Sequence, residues 1–364
     1  MVFVLDSGSF RSYHANMDQH GKNAPSLFPL QVRTAYAQVL ERLQDLETGN
    51  LSDAMSSFSL LVKEIGARKY VYAQGRTSDG INRQIYLGPL DERMRGVMER
   101  FHRSKNETAA QREDIDATAM MLRGTELPRL DPVEWRVLAA LAADGIFRVG
   151  GVLVGTVAYR CIAGLLGVKL ASASALTADL DIAGQTLPIA VMPEVVRPET
   201  ALGRLEMGFS PMAEADPALR GSRFQSRRGE FKVEFLTPLI GRDTGRRVLL
   251  RQFDVPAIPL RFLDYLIEGH QPALALGRKA LLVRVPAPAR FAVHKLIVSQ
   301  ERRGVPLKSQ KDLEQSYDLQ RTLAALDPEG LEEAFKEARN RGPGWARRVN
   351  AGMRVLTRIF GPLH

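Results

Sequence analysis

Residues 177–183 read Thr177-Ala178-Asp179-Leu180-Asp181-Ile182-Ala183, and the polar and apolar positions alternate with the period of a strand. The spacing predicts a strand over Ala178–Ala183, with Leu180 turned to the core and Asp179 and Asp181 together on the other face. Two carboxylates about 6–7 Å apart along a strand repel each other and pack no apolar surface. A divalent cation resolves that conflict, because hard oxygen ligands suit Mg²⁺. Thr177 falls on the same face and can take a phosphate. The plain alternative is a solvated strand end, or two salt bridges to arginines.

On either side lie two segments that can meet this one. Upstream, Val154-Gly155-Thr156 reads as a strand (Phe147 to Val154) running through a glycine and hydroxyl turn into a helix, Thr156 to Gly167. Glycine permits close backbone approach, and a helix N-terminus offers free N–H groups to a phosphate; many plain tight turns look the same. Downstream, Lys232-Val233-Glu234-Phe235-Leu236, within a strand over Phe231 to Leu236, puts Glu234 on the face opposite Val233 and Phe235. On a strand beside the aspartates, Glu234 completes a three-carboxylate site for two metals; otherwise it pairs with Lys232 or a nearby arginine.

The rest of the chain supplies a scaffold. Helical spacing covers Pro29 to Thr48, and Lys69 to Gly88 reads as a hairpin about the turn Thr77-Ser78-Asp79-Gly80. Leu90 to Arg123 is a charged helical stretch with a predicted break near Asn106. Asp131-Pro132 is an N-cap followed by a first-turn proline. Arg247 to Phe253 and Ala280 to Val285 read as strands, and four helices follow: Ala289–Arg302, Ser309–Leu326, Pro328–Arg339 and Pro343–Phe360.

At 364 residues, with 45% hydrophobic and 25% charged residues, the composition excludes wholesale disorder and fibrous repeats. A single cysteine, Cys161, excludes an internal disulfide framework and a cysteine-built zinc site. The net charge of +9 favours anionic partners. Met1 to Phe10 has no secretory character, and the apolar window Ile146 to Val168 carries Arg148 and Arg160 and five glycines. Each arginine costs about 2.5–3.5 kcal/mol near a bilayer centre, so the expectation is a cytoplasmic protein without a membrane partner.

Taken in order, the glycine-hydroxyl turn, the Asp-hydrophobic-Asp strand and the later acidic strand resemble the polymerase-β-type nucleotidyltransferase superfamily. The closer resemblance is to a bacterial nucleotidyltransferase-like branch related to abortive-infection and MenT-type toxins. It is carried by Tyr86-Leu87-Gly88-Pro89, Leu153 to Tyr159, Thr177 to Asp181, Val233 to Pro238, Phe291 to Ser299, and Lys311-Asp312-Leu313. The resemblance implies an α+β fold with a polymerase-β-like mixed sheet: an N-terminal helix and hairpin module over 1–130, the nucleotidyltransferase core over 131–287 and a C-terminal helical domain over 288–364. It implies two Mg²⁺ ions on Asp179, Asp181 and Glu234, an NTP substrate (ATP among the candidates) contacted by Gly155, Thr156, Thr177 and Lys295, and transfer of a nucleoside monophosphate to a hydroxyl with release of pyrophosphate. By analogy with the toxins the acceptor is a tRNA 3′ end or a protein side chain, and a cognate antitoxin is a conceivable partner. Gly-Thr replaces the usual Gly-Gly or Gly-Ser, and Glu234 the usual aspartate. The latter departure leaves open a nucleotide- or RNA-binding module that keeps the fold with little or no turnover.

Two basic segments stand out. Arg220 to Arg251 holds nine basic residues against three acids and brackets Glu234, so it can hold RNA phosphates or offset the acids. From Arg341 onward there are five arginines and no acid, with Trp345, Val349, Leu356 and Phe360 at near-helical spacing; a docked amphipathic helix is favoured over an RNA or membrane contact.

Overall fold

A computed structural model of the chain describes residues 26–52, 59–66, 68–76, 82–171, 177–186, 195–212, 221–302 and 305–362. The sequence pattern over residues 131–183 builds its centre. Asp131 accepts from the backbone of Val133 and Glu134 while Glu134 accepts from the Asp131 N–H, a capping box that starts helix α3 (Pro132–Ala143). Strand β4 (Val152–Val154) then turns at Gly155 into helix α4 (Gly155–Leu166), which a left-handed Gly167 ends. The expected strand over Phe147 to Val154 shrinks to those three residues. Residues 144–150 form successive turns, closed by bonds such as Gly151 N to Ile146 O at 2.9 Å, with Gly145 and Gly150 at positive φ. Ile146, Phe147 and Val149 are buried all the same; their hydrophobicity reports burial, not strand.

Strand β5 (Asp179–Ala183) lies antiparallel to β4 and parallel to β8 (Lys232–Pro238). The N-terminal half of β8 pairs on its other side with β7 (Arg223–Gln225), which carries the two-residue β6 (Ser210–Pro211). Its C-terminal half pairs in parallel with β10 (Val255–Leu260), and β9 (Val248–Leu250) closes that edge. The result is a seven-stranded mixed sheet. The expected strand from Arg247 to Phe253 is cut to β9 by a turn over residues 251–254. Two prolines, Pro256 and Pro259, hid β10 from a strand reading. Short helices α5 (Pro198–Gly203) and α6 (Leu263–Ile267) flank the sheet, and β11 (Gln271–Leu276) with β12 (Ala280–Val285) forms a separate hairpin.

Helix α1 (Leu30–Ser52) and helix α2 (Glu92–Arg123) lie on that hairpin, burying Tyr36, Val39, Ile115 and Leu122 with Leu274 and Leu276. The Leu274 N–H donates to Tyr36 Oη at 2.8 Å. Helix α2 runs unbroken through Asn106, against the predicted break, because asparagine costs a helix only a fraction of a kcal/mol, roughly 0.7 or less. The expected hairpin over Lys69 to Gly88 is two strands of a three-stranded antiparallel sheet: β1 (Ser59–Ile65), β2 (Arg68–Arg76) and β3 (Asn82–Pro89). Strand β1 escaped notice because its half-exposed residues lack a clean alternation. Met1 to Phe10, Arg220 and the turn Thr77 to Gly80 lie outside the described residues.

Helices α7 (Pro288–Ser299), α8 (Pro306–Leu326), α9 (Pro328–Asn340) and α10 (Pro343–Phe360) form the C-terminal layer. Each opens with a proline in its first turn, where the missing N–H costs nothing. Their buried face is continuous with the sheet's core, which runs from Leu130 to Leu356. Tyr159 on α4 meets the Phe291 ring at 5.9 Å and donates from its hydroxyl to Asp318 at 3.1 Å. Helix α10 docks as the spacing implied: Val349, Gly352 and Leu356 are buried, and Trp345 packs edge-on to Phe262 at 4.6 Å. No described helix is long and apolar enough to cross a membrane.

Candidate active site

Strand register sets the site. Asp181 sits opposite Val154 on one side and Glu234 on the other, and Glu234 in turn sits opposite Arg223. The order across the sheet is Val154, Asp181, Glu234, Arg223, with neighbouring strands about 4.8 Å apart. Leu180, Val233 and Phe235 are fully buried on the opposite face. Alternation therefore puts Asp179, Asp181 and Glu234 on one face, as the sequence implied.

At the edge of this row stands Gly155, with φ +72°, where β4 turns into α4; a Cβ there would lie 2.3 Å from Asp181 Oδ2. Glycine is required twice, for the left-handed backbone and for the carboxylate's space. Thr156 follows in the first turn of α4, half-buried.

Charge crowding shows in Asp181. Burial first, then the carboxylates of Asp179 and Glu234, push its pKa up to about 7, while Lys295 and Arg302 act against the rise. Two acids and two bases thus bear on one group, although residues 179 and 302 are far apart in sequence. Thr177 donates its hydroxyl to Asp179. Arg223 Nε lies 3.1 Å from Glu234 Oε1, both side chains about a third exposed at 34% and 27%.

Lys295, expected to contact the NTP, is engaged within the protein. It is buried on α7, with Nζ 2.6 Å from Asp312 Oδ1 and over the Phe291 ring. Arg302 closes on the other Asp312 oxygen. Burial alone would raise the Asp312 carboxyl, yet Lys295 and Arg302 hold it below the ordinary range. Burial depresses Lys311, with Lys295 adding to the effect and Asp179 opposing it. Lys311, Asp312 and Arg302 have no site role legible in the sequence, and Arg223 has one only within the basic block that can hold RNA phosphates or offset the acids. Lys311-Asp312 was visible only as part of a shared motif, and Arg223 only as one of many cations. Of the basic block, Arg242 and Arg246 are exposed on the loop between β8 and β9, and Arg227 and Arg228 on the turn between β7 and β8.

The all-oxygen set of Asp179, Asp181 and Glu234 suits a hard divalent cation, and the strained ionisation of Asp181 is what such a cation relieves. Among the described residues no three His, Cys, Asp or Glu side chains already stand as a metal cage. Arg223 pairs with Glu234, and Thr177 donates to Asp179.

A nucleotidyltransferase family model matches residues 134–340, more than half of the chain and the whole of this site. The chain belongs to this nucleotidyltransferase family. Among solved structures it is similar to an antigenic nucleotidyltransferase-like protein from Paracoccidioides brasiliensis, at 11% identity over 61% of this chain and 94% of that one, with a TM-score of 0.30, too low to carry an argument. No curated protein matches the sequence significantly. Family membership extends to nucleotide transfer in general; the toxin-like branch has no support beyond the resemblance in sequence.

Proposed function

We propose that this nucleotidyltransferase transfers a nucleoside monophosphate from an NTP to a hydroxyl acceptor, with Mg²⁺, and releases pyrophosphate. The observation that carries the reading is the row in which Asp181 lies between Val154 and Glu234 with Gly155 against its carboxylate. It brings acids from two strands to the N-terminus of a helix.

Asp179, Asp181 and Glu234 are the residues that would hold Mg²⁺. The bound ions would offset charge on the attacking and leaving oxygens. The chain's own groups do the rest. Gly155 and Thr156 present the first-turn N–H groups of α4 to phosphate oxygens. Thr177 orients Asp179. The charge of Lys295 bears on Asp181 and that of Lys311 on Asp179, and both would offset the negative charge of a triphosphate bound there.

A second reading, a nucleotide-binding module without turnover, draws on the Arg223–Glu234 ion pair, which occupies the third acid. Incubation with labelled NTPs, Mg²⁺ and cell extract separates the two. Label on RNA or protein that disappears with Asp181→Ala supports transfer. Nucleotide binding with no label transferred under any NTP sinks the enzyme reading.

A further inference from the structure

On the flank of α4 away from its N-terminus lies a cavity of about 860 Å³, between the end of α2, the start of α3 and the β11–β12 turn. Besides Arg160, four guanidiniums line it: Arg123, Arg129, Arg136 and Arg278. None has a carboxylate partner among the described residues. Arg123 donates to Arg278 O, Arg129 to Arg123 O and Arg136 to Leu205 O. The acids at hand are already engaged: Glu126 pairs with Lys169, Asp131 caps α3, and Glu134 neutralises the buried Arg160. Gathering four unneutralised cations costs electrostatic energy unless anions join them.

The cavity is also partly apolar. Trp135 lines it, pinned by its indole N–H to Lys279 O at 3.0 Å and seated on Gly277, where a Cβ would be 2.0 Å from the ring. Leu127, Leu130 and Leu170 add apolar wall. Several exposed arginines beside an aromatic and aliphatic wall match a ligand of repeated phosphates and flat bases, and the volume is ample for more than a lone phosphate. Arg160, on the cavity wall, is five residues along α4 from Gly155, about 7.5 Å of helix rise.

We infer that this cavity binds a single-stranded segment of nucleic acid, its phosphates on Arg123, Arg129, Arg136 and Arg278, as the acceptor strand of the proposed transfer. The role as acceptor site rests on that functional reading; the binding does not.

The test is fluorescence anisotropy of the full chain with a labelled 12-nucleotide single-stranded RNA, without NTP or Mg²⁺, over a range of salt. Arg123→Gln/Arg278→Gln should weaken binding at least ten-fold and flatten the slope of log affinity against log salt by about 1.4, two contacts at about 0.7 each. Arg129→Gln/Arg136→Gln repeats the test from the other wall, and thermal melts check that both pairs fold. Arg93→Gln/Arg95→Gln, exposed at the end of α2 remote from the cavity, should change affinity less than three-fold. Single-stranded DNA of the same sequence reports whether the 2′-hydroxyl is read, and binding of either strand supports the inference. Wild-type affinity in both folded cavity pairs overturns it, and so does equal affinity for a polyglutamate peptide. Arginine-dependent binding with no transfer in any assay would fail the functional reading alone.

Discussion

Gly155 and the carboxylate of Asp181 occupy adjoining space, so that a single methyl on Gly155 would come within 2.3 Å of Oδ2. The neighbour that must give way is a half-buried carboxylate on an interior strand of the sheet, not the end of a flexible chain. Gly155→Ala should therefore displace Asp181 and strain a backbone at φ +72°. The expected cost is about 1–3 kcal/mol of stability, with at least a hundred-fold loss of Mg²⁺-dependent label transfer. Gly203→Ala, on a helix with open space around it, is the control and should leave both unchanged. A Gly155→Ala variant with wild-type transfer would mean that this contact has no part in the chemistry.

If Glu234 holds Mg²⁺, Arg223 competes with the ion for it. The pair is partly exposed, so its loss should cost under about 1 kcal/mol. Arg223→Gln should thus fold normally and reach half-maximal transfer at several-fold lower Mg²⁺ than wild type. Glu234→Gln should need far more. If the Mg²⁺ midpoint is the same in wild type and Arg223→Gln, Glu234 is not a ligand.

These two relationships differ in how visible they were in sequence. The Asp179/Asp181 strand, the Glu234 strand and the Gly155 turn were legible because alternation and a glycine before a helix are local patterns. That Asp181 and Glu234 lie side by side is a matter of register between strands some fifty residues apart, which local periodicity cannot fix. Arg223 lies on a three-residue strand, too short to carry any pattern. Lys295 stood out only as a triphosphate contact implied by the resemblance, and its partner Asp312 comes from the next helix, so only packing joins them. Phe147 and Val149 misled in the opposite way, since turns stabilised by glycines were buried as deeply as a strand.

Asp181 makes the metal-free protein sensitive to pH. Its native pKa, about 7, lies above its ordinary value of 3.8, so the native state holds this proton more tightly than the unfolded chain. The resulting stability is fully present below about pH 4 and is lost as pH rises through 7. Discounted for partial solvent contact, the loss should be about 2 kcal/mol. In EDTA, Asp181→Asn should remove this dependence and be more stable than wild type at pH 8. Added Mg²⁺ should then raise the Tm of wild type and not of the variant. Denaturant titrations at pH 5 and pH 8 giving the same difference between the two proteins would rule this out.

His294 adds an opposite dependence. Burial first, and Lys295 next, depress its pKa to about 3, and its Nδ1 has no hydrogen-bond partner among the described residues. The native state refuses a proton that the unfolded chain accepts below about pH 6.5, so stability falls as pH drops from there towards 3. His294→Leu should be at least as stable as wild type at pH 5, with the advantage shrinking by pH 8. A variant less stable than wild type at pH 5 would show that packing at His294 outweighs its protonation.

Asp312 tests what Lys295 is for. It is buried with Lys295 and Arg302 on its two oxygens. Asp312→Ala leaves a buried ammonium without a partner and should cost about 3–5 kcal/mol. Lys295→Met/Asp312→Leu removes both charges and should recover most of that loss, because an apolar pair of similar volume fits the site between α7 and α8. If Lys295 serves only this ion pair, the double variant keeps wild-type KM for the NTP. If its field also acts on the triphosphate, the recovered protein has KM raised at least ten-fold. Stability and KM are read from the same preparation, so a structural role and a phosphate role give different results.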